Sequence, residues 1–504
     1  MIDERTAELL VERLIRRIEQ ANTYFLMKMG SSIKQIRNLT PSQAQELVQM
    51  LKYGGNYEDI IKEISKYTNL NVKDIDEIFS EYAKKDRLWS KQFYDYRNIP
   101  FDESLALKRQ KNALTELVKN EMYNFTRTNV LGYTIRDLRG RPQFLGLKET
   151  YNRVLDEALL NVGQGKETFD SAMTRIMKDI GGSGLKTVEF ESGRSVRLDS
   201  AVRMQLKSRL RELHNEQQKI IGKEIGADGI EISVHSNPAV DHEQAQGRQF
   251  SNKEYDKLNN GLEATDYTGK KITLDHDNKN GYRPISEMNC YHYIFSIILG
   301  VSKPQYNEEQ LQQIINDNEK GFELDGKHYT NYEGTQLQRN IETEIRKQKD
   351  TQILAKASGN EELLYKSQDK IRMLTNKYKE LSDVSGLPTK IQRLRVSQYR
   401  RKAGDTRSFY EQNLLGKTYG EITINGVSKH LLDRKTSRNL WLEDIENGLS
   451  NPLKITDVKI DSQGRQSLQY IGERATIVLN PANGNIVSVW KTGSNRVKKL
   501  RGEK

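Results

Sequence analysis

Imidazoles and a thiol gather in the middle of this chain. Four of its seven histidines (His235, His242, His276 and His292) and its single cysteine, Cys290, fall between residues 235 and 292. Imidazole nitrogens and a thiolate are the donors zinc prefers, so a mixed site is chemically open to them. The spacing argues the other way. No short-spaced ligand pair stands at both ends of the stretch, and Cys290 and His292 are too close together to define a site alone. Histidines hydrogen-bonding across an irregular, loop-rich region account for the same residues with fewer assumptions, so no metal ligand and no cofactor are assigned.

A second set lies near the C-terminus. Metal-independent RNA cleavage needs a base for the 2′-hydroxyl, an acid for the departing 5′-oxygen and cations for the crowded phosphate. Imidazole is the side chain most often used for such proton transfer, and His430 supplies one. Arg434, Arg438 and Lys491 offer charge to a phosphate, with Arg able to bind it through two parallel hydrogen bonds, and Thr492 or Ser494 adds a hydroxyl. His430 and Arg434 would share one face of a helix, and Lys491 would approach from the last strand if the sheet folds over that helix. His430 is the only histidine in residues 427–504, so Glu443 or Glu473 would have to complete an acid–base pair. The same residues also suit a solvated helix face, and Trp490 suits either packing or a platform for a base.

Something must position these groups. Helical periodicity predicts a helix over 4–30, stopped at Gly30, then helices over 41–53 (Thr40 as cap, Pro41 at the first position), 57–67, 72–84 (opened by Asn71), 107–128, 147–162 and 166–180. After Gly181-Gly182-Ser183-Gly184 the alternation in 186–198 predicts a hairpin about Ser192-Gly193. A helix over 199–226, a strand over 228–235 and a charged helix over 333–381 follow, the last too polar to be buried on more than one face. Breaks at 383–426 precede a helix over 436–449 and strands at 455–460, 467–470, 474–480 and 485–490, with Asn483-Gly484 as a two-residue turn. The expected fold class is multidomain α+β. It has a mostly helical N-terminal region (1–180), a mixed α+β middle domain with a charged helix (181–382), a linker (383–426) and a small helix-plus-antiparallel-sheet domain (427–504).

Composition bounds the rest. The 504 residues carry 80 Lys and Arg against 69 Asp and Glu, and the excess is local. Residues 341–504 hold 31 basic and 19 acidic side chains, while residues 1–340 hold 49 and 50. A basic last third suits phosphates, as packaged DNA or an RNA substrate, or else a solvated surface. With 24 Tyr, 12 Phe and 3 Trp the chain has ample material for cores, which separates it from disordered polyelectrolytes. No secretory leader and no bilayer span are expected: Tyr291–Val301 is the longest apolar run and includes His292. One cysteine rules out an internal disulfide and suits a reducing compartment.

Several separated motifs carry a resemblance. The run Asp228 through Phe250, with His242-Glu-Gln-Ala-Gln-Gly247, and then Asn289-Cys290-Tyr291-His292 followed by Gly300-Val301-Ser302, resembles the phage minor capsid protein 2 family. So do Phe190-Glu-Ser-Gly193-Arg194, Leu198-Asp-Ser-Ala-Val-Arg203 and Tyr329-Thr-Asn-Tyr332-Glu333, for a span of roughly 1–400. The chain departs from it at Tyr291, where members usually have a basic residue, and at Ala239-Val240-Asp241, where many have Arg-Pro. The resemblance implies a virion component related to the Mu-type head-morphogenesis proteins, assembled in the host bacterial cytoplasm and acting near the portal, with portal and other capsid proteins as partners. His242, Gly247, Asn289, Cys290 and His292 are its motif residues.

Residues 427–504 in turn resemble the phage-borne branch of the barnase–EndoU–colicin–RelE-like nuclease fold. That resemblance implies a toxin-like ribonuclease domain with His430, Arg434, Arg438, Lys491 and Thr492 as catalytic residues. The alternative is a purely structural head-connector protein whose basic C-terminal third contacts packaged DNA without catalysis.

Overall fold

A computed structural model describes residues 4–70, 72–137, 139–188, 195–235, 237, 241–274, 283–285, 290, 292–399, 405–438 and 440–502. Its fold is α+β, with a helical N-terminal region and several small antiparallel sheets further along.

The spine is the helix Glu4–Arg37, whose Val11, Leu14, Ile18, Phe25, Met29 and Ile33 are buried along one stripe. It does not stop at Gly30. A Cβ there would lie 2.5 Å from the Ala357 Cβ and 2.9 Å from the Leu354 carbonyl oxygen, so this glycine marks a close helix crossing. Helices Pro41–Tyr53, Asn56–Thr68, Val72–Arg97 and Leu105–Thr126 pack around the spine. Thr40 caps the first of these and Pro41 stands in its first turn, as expected, and Gln43 completes a capping box. Asn71, expected to open the helix beginning at Val72, lies outside the described residues.

The first 180 residues are not wholly helical. Leu131–Arg136 pairs antiparallel with Pro142–Gly146, and Leu131–Arg136 also pairs with Lys186–Val188 of the expected hairpin. The result is one four-stranded sheet. The hairpin's expected turn, Ser192-Gly193, is outside the described residues.

The charged stretch after 330 is two helices rather than one, Asn331–Ser358 and Glu361–Ser385. Gly359 in the left-handed region ends the first, and Asn360 caps the second. The expectation of a single buried face also fails. Asp350, Glu342, Gln338 and Gln352 are buried: the spine and the sheet reach Asp350, the Tyr378 hydroxyl donates to Glu342, and Gln338 and Gln352 donate to the Pro388 carbonyl and to Gln368. Asn22 and Arg197 both donate to Asp350 (3.0 and 3.1 Å), the Asn22 carbonyl accepts from the Tyr133 hydroxyl at 2.9 Å, and Asp199 pairs with Arg197 and Arg346. Burial pushes the Asp350 carboxyl up to about 6 even beside Arg197.

The middle sheet has three antiparallel strands, with Gly229–Ile232 between Gln249–Ser251 and Ile294–Ile297. The long helix Leu198–Ile225 anchors it: the His214 ring lies 2.7 Å from both the Asp86 carboxylate and the Ile294 carbonyl oxygen.

In the C-terminal unit the expected helix over 436–449 is replaced by Lys429–Ser437 and Leu442–Ser450. The break falls where Leu440 turns into the core and the Asp444 carboxylate accepts from the Trp441 amide at 2.9 Å. These helices pack on a six-stranded sheet built on Gln466–Ile471, Ala475–Asn480 and Asn485–Lys491. Asn480 pairs with Asn485, so the connection is a four-residue loop rather than a two-residue turn. A last helix, Ser494–Arg501, was not expected. Tyr410, Leu414 and Tyr419 share the apolar core of Leu431, Ile445, Ile477 and Val489, so residues ahead of 427 build this unit too. Fully buried Lys435 pairs with Asp369 and lies 4.2 Å from the Tyr410 ring centroid, tying the unit to the helical hairpin.

Candidate functional site

Residues distant in sequence converge beside the middle sheet. His242 stands in the turn after Gly229–Ile232, and Cys290 and His292 immediately precede Ile294–Ile297. Because the two strands are neighbours, the antiparallel pairing brings the flanking turns together. One ligand-type atom from each of His242, Cys290 and His292 lies within 4.8 Å of the others, and all three side chains are buried. The Cys290 sulfur is 3.5 Å from Nδ1 of both His242 and His292. Nε2 of His242 donates to the Arg283 carbonyl at 2.6 Å, which leaves the lone pair on Nδ1, facing the sulfur. The His235 ring lies beside that of His292, with centroids 4.5 Å apart.

The electrostatics of the two rings differ. Burial disfavours charge on His242, but the Cys290 contact, the Arg283 carbonyl and Asp241 outweigh it and raise its pKa. Burial, with His235, His242 and Arg283 nearby, holds His292 well below the ordinary imidazole range.

The rest of the motif is structural in a specific way. Gly247 has φ +72, and a Cβ there would lie 2.4 Å from Leu311 Cδ2 and 2.7 Å from Val234 Cγ2. Only glycine meets both demands. Next to it, buried Arg248 donates to Asp266 and, with both terminal nitrogens, to Glu308 at 2.6–2.8 Å. That contact, with help from Lys270, lowers the Glu308 pKa to about 2. Asn318 donates to Glu243, and Gln249 donates to Glu231, at 2.9 and 2.7 Å. The polar side chains of this run therefore hold different elements onto the sheet. Sequence reasoning missed Arg248, Asp266, Glu308 and the Arg283–Asp241 pair. A basic residue directly after the motif glycine was the available signal. Asn289, Tyr291 and His276 lie outside the described residues.

The C-terminal set is not gathered in the same way. His430 and Arg434 are exposed on Lys429–Ser437. That helix does lie along the last long strand, as the Ser428 hydroxyl donates to the Val487 carbonyl at one end and Arg438 to the Val489 carbonyl at the other. Lys491 ends that strand, roughly 13 Å beyond Val487 at the usual rise per residue. Lys491 and Thr492 line an open groove of about 570 Å³ with Glu473, Arg474, Ser494 and Arg501. His430, Arg434 and Arg438 are not among its lining residues. Thr492 is tied down by the Thr476 hydroxyl at 2.9 Å.

The phage minor capsid protein 2 family matches residues 2–383. This chain belongs to that family. No curated protein and no solved structure matches it. The minor capsid chain is thus a virion protein with a structural role, in the company of other virion proteins. The match takes in both sides of the His/Cys convergence and nearly all of the helical hairpin. It leaves the C-terminal unit outside. Among the described residues no helix is long and apolar enough to cross a membrane.

Proposed function

We propose that this minor capsid chain is a head-assembly component that works near the portal and meets nucleic acid through its C-terminal unit. The reading divides the chain as the sequence suggests, with a helical N-terminal region, an α+β middle and a C-terminal α+β unit, assembled together in the host cytoplasm. One observation favours nucleic-acid contact: Arg474, Lys491, Lys498 and Arg501 line a single groove with the hydroxyls of Thr492 and Ser494. Cations that track a phosphate backbone and short hydroxyl donors are what sequence-independent binding requires. Arg501 already pairs with Glu473 and Arg474 with Asp444, so these two are held in place at the groove.

The test is DNA binding by the full chain across a salt series. About three or four neutralised phosphates predict a log–log slope of roughly −2 to −4, and Arg474→Ala with Lys491→Ala should flatten it. Binding that ignores salt, or that the double variant leaves intact, would overturn the proposal.

A ribonuclease is the second reading, favoured by the exposure of His430 and Arg434 four residues apart on one helix. It predicts RNA cleavage in EDTA by the full chain, lost in His430→Ala and in Lys491→Ala. A folded chain that binds RNA without cutting it would leave the connector role alone.

A further inference from the structure

We propose that His242, Cys290 and His292 bind one zinc-type divalent metal that staples the middle domain together. The sequence spacing gave no cause to expect this; the geometry does. In a tetrahedral zinc site, bond lengths of about 2.3 Å to sulfur and 2.0–2.1 Å to nitrogen put sulfur and nitrogen roughly 3.6 Å apart. The Cys290 sulfur stands 3.5 Å from Nδ1 of both histidines, close to that edge length on two sides at once.

The donors are also prepared for a metal. A histidine ligand characteristically donates its other ring N–H to a carbonyl or carboxylate, which fixes the tautomer and turns the lone pair to the ion. The Nε2 bond from His242 to the Arg283 carbonyl does this, with the Asp241 carboxylate 3.7 Å away and itself paired to Arg283. Nδ1 of His292 faces the same sulfur, and its Nε2 is buried with no hydrogen-bond partner among the described residues. His235, half-buried against the His292 ring, is the neighbouring imidazole from which a fourth donor could come.

Two nitrogens and a thiolate select zinc or cobalt over calcium or magnesium, which take oxygen. The benefit is local. Among the described residues the core beside this sheet contains eleven buried apolar side chains, and the staple would close the 48-residue excursion between His242 and Cys290.

Cys290 is the only cysteine, so any thiolate signal from the full chain reports on this site alone. The experiment is metal analysis of the reduced, untagged full chain, followed by zinc release on titrating its thiol with an organomercurial. Cobalt(II) substitution is then read by absorption. About one equivalent of zinc, released in step with thiol modification, and a near-ultraviolet thiolate-to-cobalt band are expected. Cys290→Ser should abolish the band and weaken cobalt binding roughly tenfold or more. If that variant does not fold, the release experiment on the unaltered chain still decides. A folded chain without zinc that takes up cobalt with no thiolate band, or zinc whose release ignores thiol modification, would overturn the proposal.

Discussion

The middle domain and the C-terminal unit each contain a set of chemistry-bearing residues, and the fold treats them oppositely. His242 and Cys290 are 48 residues apart, yet meet in a buried cluster because adjacent strands bring their flanking turns together. His430, Arg434 and Arg438 sit at regular helical spacing, yet remain spread along a helix that starts beside Val487, four residues short of Lys491, and brings only its far end, at Arg438, to Val489. Close spacing in sequence keeps residues on one surface. Strand pairing is what makes a cluster out of distant ones.

The contrast can be broken most forcefully at the charge buried under the C-terminal unit. Lys435→Met removes the ammonium that pairs with the buried Asp369 carboxylate, and loss of one partner of a buried pair predicts about 3–5 kcal/mol of destabilisation. Calorimetry should show it, and Lys435→Met combined with Asp369→Leu should recover most of the loss. If the single variant melts like the parent, the unit is not docked through this pair.

Next in size is a pH effect within the helical region. Glu19, pushed up to about 8 by burial and then by Asp199, keeps its proton in the fold at pH values where the unfolded chain has released it. Its contribution is therefore complete below about 4.5 and falls away as pH rises to about 8. Glu19→Gln should flatten that decline, with a difference of roughly 2–4 kcal/mol between pH 5 and 8 in denaturant titrations. Parallel curves for variant and parent would refute it.

The motif glycine comes third. Gly247→Ala meets Leu311 and Val234 at a positive φ and should cost about 1–3 kcal/mol, with Gly247→Val worse, read as a lower melting temperature.

The smallest effects sharpen the other side of the comparison. Arg438→Ala loses a bond to the Val489 carbonyl and should cost about 1 kcal/mol. His430→Ala, at an exposed position, should stay within about 0.5 kcal/mol. A large loss at His430 would mean that this ring is tied into the fold after all.

Local signals were legible. Thr40-Pro41 names its helix start, and the hairpin strands, the helix after Leu198 and the C-terminal strands follow their hydrophobic periods. Long-range partners were not. Gly30 reads as a stop until Ala357 is seen against it, and the charged run 333–381 reads as buried on one face at most until Asn22 and Arg197 are found on Asp350. The hairpin at 131–146 hid within a helical block because its short runs earn their pairing from the strand at 186–188.

The sequence by itself determined the family, the helix caps, the strand periods and the basic bias of the last third, because each is written in neighbouring residues or in composition. Only the tertiary structure decided which polar groups are buried and paired, that His242, Cys290 and His292 form one cluster, and that His430 stands away from the groove at Lys491. Those outcomes depend on which elements become neighbours, and that is set by packing of the whole chain rather than by local spacing.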